Sequence, residues 1–216
     1  IDIIIKQPAC ARFITRHLYN FFVADEPQVP AWPIEEPRDI DAIEILEKEF
    51  IASGYEIKPV LKVLFNSDFF KESMYEKVRS PAEIVVSTLK LTGDLNGPDP
   101  RWGEAPNEPG YMGQSLFDPP SVEGWHTGKE WINSGSLISR VNFMSDKISD
   151  TELPGVQEIV RRVGETNGDP LNAEKLVDRC LDQMGPISVE SKTRDELVKQ
   201  VKSGGPFMAT NGKEFS

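Results

Sequence analysis

Apolar positions recur along most of this chain at helical spacing. After Pro8, the residues Ala9, Phe13, Ile14, Leu18, Phe21 and Phe22 form one stripe, with proline in the first turn, where its missing N–H has no helical partner to lose. This predicts a helix buried along that stripe. Asp39 is a candidate N-cap for a helix over residues 40–53, with Ile43, Leu46, Phe50 and Ile51 as its buried face and Gly54 as its stop. Residues 56–65 repeat the pattern through Ile57, Val60, Leu61, Leu64 and Phe65, and residues 66–70 read as a short helical tail. Ser80-Pro81-Ala82-Glu83 is the clearest start signal: a hydroxyl at the cap, proline at the first position, and a glutamate able to reach back to the cap N–H. Its helix should run to about Leu91. Short helical pieces are expected at 110–117 and 129–133, and longer helices at 136–147, 157–163, 172–184 and 193–202. No segment alternates long enough for a strand. The fold class expected is all-α: an irregular multi-helix domain with long Pro/Gly-rich loops over residues 1–150, and a helical appendage over 151–216 ending in a loose tail from Gly204.

Two kinds of loop interrupt the helices. Residues 24–38 carry four prolines and four acids and read as extended chain. Residues 93–109 hold three glycines, four prolines and Trp102. A second Pro/Gly-framed stretch follows, Asp118-Pro119-Pro120-Ser121-Val122-Glu123-Gly124-Trp125-His126-Thr127-Gly128. Trp102, Tyr111, Phe117, Trp125 and Trp131 thus fall close together. They read either as aromatic plugs pinning a long loop to the helices, or as the lining of a groove whose polar handles are Gln114, His126 and Asn133. Such a groove would suit a carbohydrate, a peptide or another polymer segment. The loop 113–133 is therefore expected to be the functional centre, with Gln114, Trp125, His126, Trp131 and Asn133 as its binding residues. Trp125 should pack inward as an anchor, and His126 should face outward near Gln114 or Asn133.

Composition narrows the function classes. With 24 basic and 35 acidic residues the net charge is −11, which disfavours nucleic acid and anionic membrane surfaces as partners. No apolar run reaches the ~18–20 residues of a membrane-spanning helix. The chain begins at Ile1 rather than Met, and the true N-terminus is expected to lie outside it. Cys10 and Cys180 read as ordinary buried or half-buried helical thiols, with a disulfide left open. His17, one residue off the first stripe, reads as a half-buried structural histidine. Nothing has the spacing of a zinc site, and residues 94–99 miss the calcium-loop spacing, so no metal or cofactor is expected. There is no phosphate loop and no nucleophile elbow, and no catalytic residue is assigned.

Three sets of residues carry a resemblance. The first is Pro8-Ala9 with Ala11-Arg12-Phe13 and Phe21-Phe22-Val23. The second runs from Ser53-Gly54-Tyr55-Glu56-Ile57-Lys58-Pro59-Val60-Leu61 through Ser67-Asp68-Phe69-Phe70 to Lys77-Val78-Arg79-Ser80-Pro81-Ala82-Glu83. The third holds Gly113-Gln114-Ser115-Leu116-Phe117, Pro119-Pro120, Val122-Glu123-Gly124-Trp125, Trp131-Ile132-Asn133-Ser134 and Arg140-Val141-Asn142-Phe143. Together they resemble the C-terminal half of the bacterial domain-of-unknown-function family eighteen hundred, closely over 1–150 and loosely beyond. The resemblance implies a helical fold and a missing N-terminal half, and it supplies no reaction. It also implies export or a place in the cell envelope, with an exported sulfatase-like protein as a partner. Residues 207–216 depart from the closing helix the family would have. The reading favoured is a helical scaffold or binding module of an exported or envelope protein. The alternative is a hydrolase-like enzyme whose active site is shared with the missing half.

Overall fold

The computed structural model describes residues 1–94, 103–164 and 171–204. Among them the chain forms eleven α-helices: α1 (Asp2–Ile5), α2 (Pro8–Phe22), α3 (Ile40–Ala52), α4 (Ile57–Asn66), α5 (Asp68–Glu72), α6 (Pro81–Thr92), α7 (Glu108–Tyr111), α8 (Ser134–Ser149), α9 (Pro154–Gly164), α10 (Ala173–Gln183) and α11 (Ser191–Ser203). The described residues hold no strand, only an isolated bridge between Ser121 and Gly124. The all-α expectation therefore stands.

The capping chemistry sets the helix boundaries. The Asp39 carboxylate accepts the Ala42 N–H at 2.9 Å and starts α3. Gly54, at φ +73°, ends it. At α6 the Ser80 N–H donates to the Glu83 carboxylate at 2.7 Å, and the Glu83 N–H donates to the Ser80 hydroxyl at 3.3 Å, a reciprocal capping box. Asn172 starts α10 by accepting the Lys175 N–H at 2.8 Å. The starts of α8, α9 and α11 come two or three residues earlier than expected, and the larger differences are in the short elements. The short helix anticipated at 110–117 lies earlier, at Glu108–Tyr111, because Gly113 (φ +97°) and Phe117 (φ +64°) leave helical geometry. Residues 129–133 hold a 3-10 turn, Gly128–Trp131. The four-residue α1 was not anticipated.

The chain divides into two compact units, Ile1–Val86 with Pro100–Asn142 and Ser87–Asp99 with Phe143–Ser216. In the first, Ala11, Tyr19, Val23 and Ala24 pack with Ala42, Ile43, Leu46 and Phe50 of α3 and with Val60 and Leu64 of α4. The expected faces of α3 and α4 hold except at their edges, where Ile51, Ile57 and Phe65 are exposed. The expected stripe of α2 holds only in part: Ile14, Leu18 and Phe22 are partly buried against this core. Phe13, Phe21 and Ala9 face solvent, and the buried seam is Ala11, Thr15, Arg16 and Tyr19.

The reason is a buried ion pair. The Arg16 side chain is 3% exposed, and its Nε donates to the Glu26 carboxylate at 2.7 Å. Its Nη1 donates to the Glu35 carbonyl at 2.8 Å, and the guanidinium lies 4.7 Å from the Trp32 ring centre. The other oxygen of Glu26 accepts the Arg38 N–H at 3.0 Å. A proline-rich segment lacks the N–H groups to build a ladder of its own, so its carbonyls need outside donors. Arg16 supplies them, and residues 24–38 are bound down on α2.

In the second unit the buried apolar side chains among the described residues are Leu89, Phe143, Leu153, Val156, Val163, Val177 and Val198. Gly155 touches the C-terminal turn of α6: an added Cβ would lie 2.1 Å from the Leu91 carbonyl oxygen. The Arg194 guanidinium of α11 grips Asp178 of α10 at 2.7 and 2.8 Å. Cys180, expected to be at least half-buried, is exposed on α10, because the narrow seam of this helix centres on Val177. Cys10 is partly buried, and both thiols are free. Trp102, most of the 94–99 segment and the tail beyond Gly204 lie outside the described residues.

Candidate functional site

The loop 113–133 is braced by its polar side chains. Gln114 is buried, and its Oε1 accepts the Ala82 N–H at 2.8 Å. This completes the start of α6. Pro81 has no N–H, Glu83 donates to Ser80 Oγ, and Ile84 donates to the Ser80 carbonyl at 3.1 Å. Every first-turn donor that α6 leaves open is thus satisfied. Asn133 does the same work at α8: its Oδ1 accepts the Ser136 N–H at 2.9 Å, while Ser136 Oγ accepts the Asn133 N–H at 3.0 Å. Trp131 is buried, and its carbonyl accepts from Ser136 Oγ at 2.7 Å and from Arg140 Nη2 at 3.4 Å. The buried Arg140 also donates to the Arg79 carbonyl at 2.8 Å.

The middle of the loop is a tight turn. The Gly124 N–H donates to the Ser121 carbonyl at 3.1 Å, with Gly124 at φ +98°. Trp125 is half-buried rather than fully inward, with its indole N–H enclosed and without an acceptor among the described residues. His126 faces outward as expected, but its partner is neither Gln114 nor Asn133. Its Nδ1 lies 2.5 Å from the Glu130 carboxylate, four residues along, where the 3-10 turn returns the chain. The five residues singled out in the sequence thus stand in one braced loop, and the polar atoms of Gln114, His126 and Asn133 go to three different partners.

The loop also carries an apolar rim, in which the sequence pointed to Tyr111 and Phe117 as plugs or groove lining but not to Leu116 and Val122. Tyr111, Leu116, Phe117 and Val122 are all exposed. Phe117 is 97% exposed and holds φ +64°, a region that bulky side chains rarely adopt. Pro119-Pro120 is the sequence signal for the departure from helix here, since a proline disfavours helical geometry in the residue before it. Five acids, Glu104, Glu108, Asp118, Glu123 and Glu130, accompany a single lysine, Lys129, over residues 103–133.

His17 belongs to a separate aromatic cluster. Its ring centre lies 4.5 Å from Phe13 and 4.5 Å from Trp32. Burial holds its pKa below the ordinary 6.5. Among the described residues no group of three or more His, Cys, Asp or Glu could hold a metal ion, and no helix is long and apolar enough to cross a membrane.

Residues 1–211 match the model of a family described as protein of unknown function (DUF1800). No curated protein and no solved structure matches the chain.

Proposed function

The chain belongs to this family of proteins of unknown function, and from that premise we propose that it is a helical binding module whose recognition element is the loop 113–133. The observation that carries this reading is Phe117. A phenyl group left in water gains nothing from the hydrophobic effect, and a positive φ costs an L-residue about 1–2 kcal/mol. Both are tolerated here on a backbone held from both ends by Gln114 and Trp131. Strain combined with apolar exposure on a rigid frame is a feature of binding surfaces. The acidic surroundings favour a protein partner that offers an apolar socket rimmed by Lys or Arg. Trp125 and His126 would line the edge of that contact, with Gln114, Trp131 and Asn133 holding the loop in place. The placement in an exported or envelope protein rests on the family resemblance.

The test is site-specific photo-crosslinking of the full-length protein in its native cells. A photoreactive residue at Phe117 should yield one dominant protein adduct, and one at the equally open Ile34 should not. Equal adduct patterns from the two positions would contradict the reading.

A second reading has one observation behind it. The Glu130 carboxylate on Nδ1 of His126 is the arrangement that orients a histidine as a general base. Hydrolase substrates turned over by the full-length protein, with loss of turnover in His126→Ala, would favour it over the binding module.

A further inference from the structure

The recognition loop does not choose its own position. At Gly128, φ is +61°, and a Cβ placed there would sit 3.0 Å from Asp25 Cβ and 3.1 Å from its carboxyl carbon. The loop backbone therefore rests directly on the Asp25 side chain, and a larger residue would press on that side chain and be strained by the positive φ. One turn of chain further on, Gln28 Nε2 donates to both the carbonyl and the hydroxyl of Thr127 at 3.1 Å. Asp25 is itself fixed from another side: its carboxylate accepts the Val78 N–H at 2.7 Å and meets the Lys77 ammonium at 3.2 Å. Its neighbour Glu26 is locked to Arg16.

From this geometry we propose that Asp25 is the positioning residue of the recognition loop, with Gln28 as its accessory. The chain of support runs from α2 through the Arg16–Glu26 pair to residues 25–28, and from there to Thr127 and Gly128. The oxygens of Asp25 are used by Val78 and Lys77, so its hold on the loop is steric. It is a seat of fixed height for Gly128, while Gln28 supplies the hydrogen bonds. Residues 24–38, an acidic and proline-rich segment with no chemistry of its own in the sequence, thereby become part of the site. The inference rests on the reading of the loop as a binding element, but its first readout does not.

Hydrogen exchange of the full-length protein tests it. Asp25→Ala should accelerate exchange of the amides in residues 124–131 at least about tenfold and leave α3 and α4 unchanged, as expected of local opening. Asp25→Asn keeps the shape under Gly128 and an acceptor for Val78, and it should restore protection to within about threefold of wild type. Gln28→Ala, which touches no buried group, should give a smaller acceleration in the same peptides and serves if Asp25→Ala does not fold. Unchanged exchange at 124–131 in both Asp25→Ala and Gln28→Ala overturns the proposal, as does an Asp25→Asn variant as loose as the alanine. Adduct yield from position 117, measured in the same variants, should fall with loop protection. Faster exchange with an unchanged yield would uphold the seat and overturn the binding role of the loop.

Discussion

Helices α2 and α3 share one core and are held in it by different physics. α3 buries Ala42, Ile43, Leu46 and Phe50 and turns its charged side chains to water. α2 buries Ala11, Thr15, Arg16 and Tyr19 and leaves Phe13 and Phe21 in solvent, the latter 70% exposed. The first is an ordinary amphipathic helix. The second has given the central position of its inner face to a charge, because the segment that crosses it is rich in proline and needs donors. The cost is an aromatic surface left uncovered on the outer face. The difference teaches that a buried ion pair can organise a loop as firmly as an apolar seam organises a helix, and that it does so at the expense of the neighbouring hydrophobic pattern.

The largest effect expected from breaking this comparison is at the ion pair. Arg16→Ala should destabilise the protein by about 3–5 kcal/mol in denaturant unfolding, because it strands the fully buried Glu26 carboxylate. The double variant Arg16→Met/Glu26→Leu should recover at least half of that loss. A double variant no better than the single would mean that the hydrogen bonds from Arg16 Nη1 to the Glu35 and Trp32 carbonyls, at 2.8 and 3.4 Å, are what matters rather than the charge pair. On the apolar side, Leu46→Ala should cost about 2–5 kcal/mol, since Leu46 is completely enclosed. Its loss should leave exchange in residues 24–38 as it was.

A pH titration sharpens the contrast. His17 lies on α2 against Phe13 and Trp32, and burial depresses its pKa below 6.5. The unfolded chain therefore takes up the proton first as pH falls. The stabilisation from neutral His17 is complete above pH 6.5 and drains away as pH drops through the lower folded value. Unfolding free energies of wild type and His17→Phe should run parallel above pH 6.5, and the wild type should fall more steeply from there down to the lower folded pKa. The smallest effect is on the outer face, where Phe21→Ser should shift stability by no more than about 0.5 kcal/mol.

Much of this was legible in the sequence. The starts at Asp39 and Ser80 declared themselves through local chemistry, and local chemistry is what a sequence displays directly. The inner faces of α3 and α4 followed from spacing because both are apolar. The α2 seam could not be read that way: periodicity scores Arg16 as solvent-facing, and its partner Glu26 lies ten residues away in a loop. The loop 113–133 was found by composition, yet the roles within it depend on long-range geometry. Gln114 reaches Ala82 across 32 positions, and Gln28 reaches Thr127 across 99. Phe117 was among the loop aromatics, but plug and lining could not be told apart in the sequence, because only its backbone torsion and surroundings place it outside.

The most direct test of the account is hydroxyl-radical footprinting of the full-length protein, purified and inside its native cells. Phe117 should react readily in the purified protein, Trp131 should be protected in both settings, and in cells Phe117 and Val122 should become protected while Ile34 remains reactive. Phe117 protected already in the purified protein, or as reactive in cells as in the tube, would contradict the claim that this loop is a binding surface.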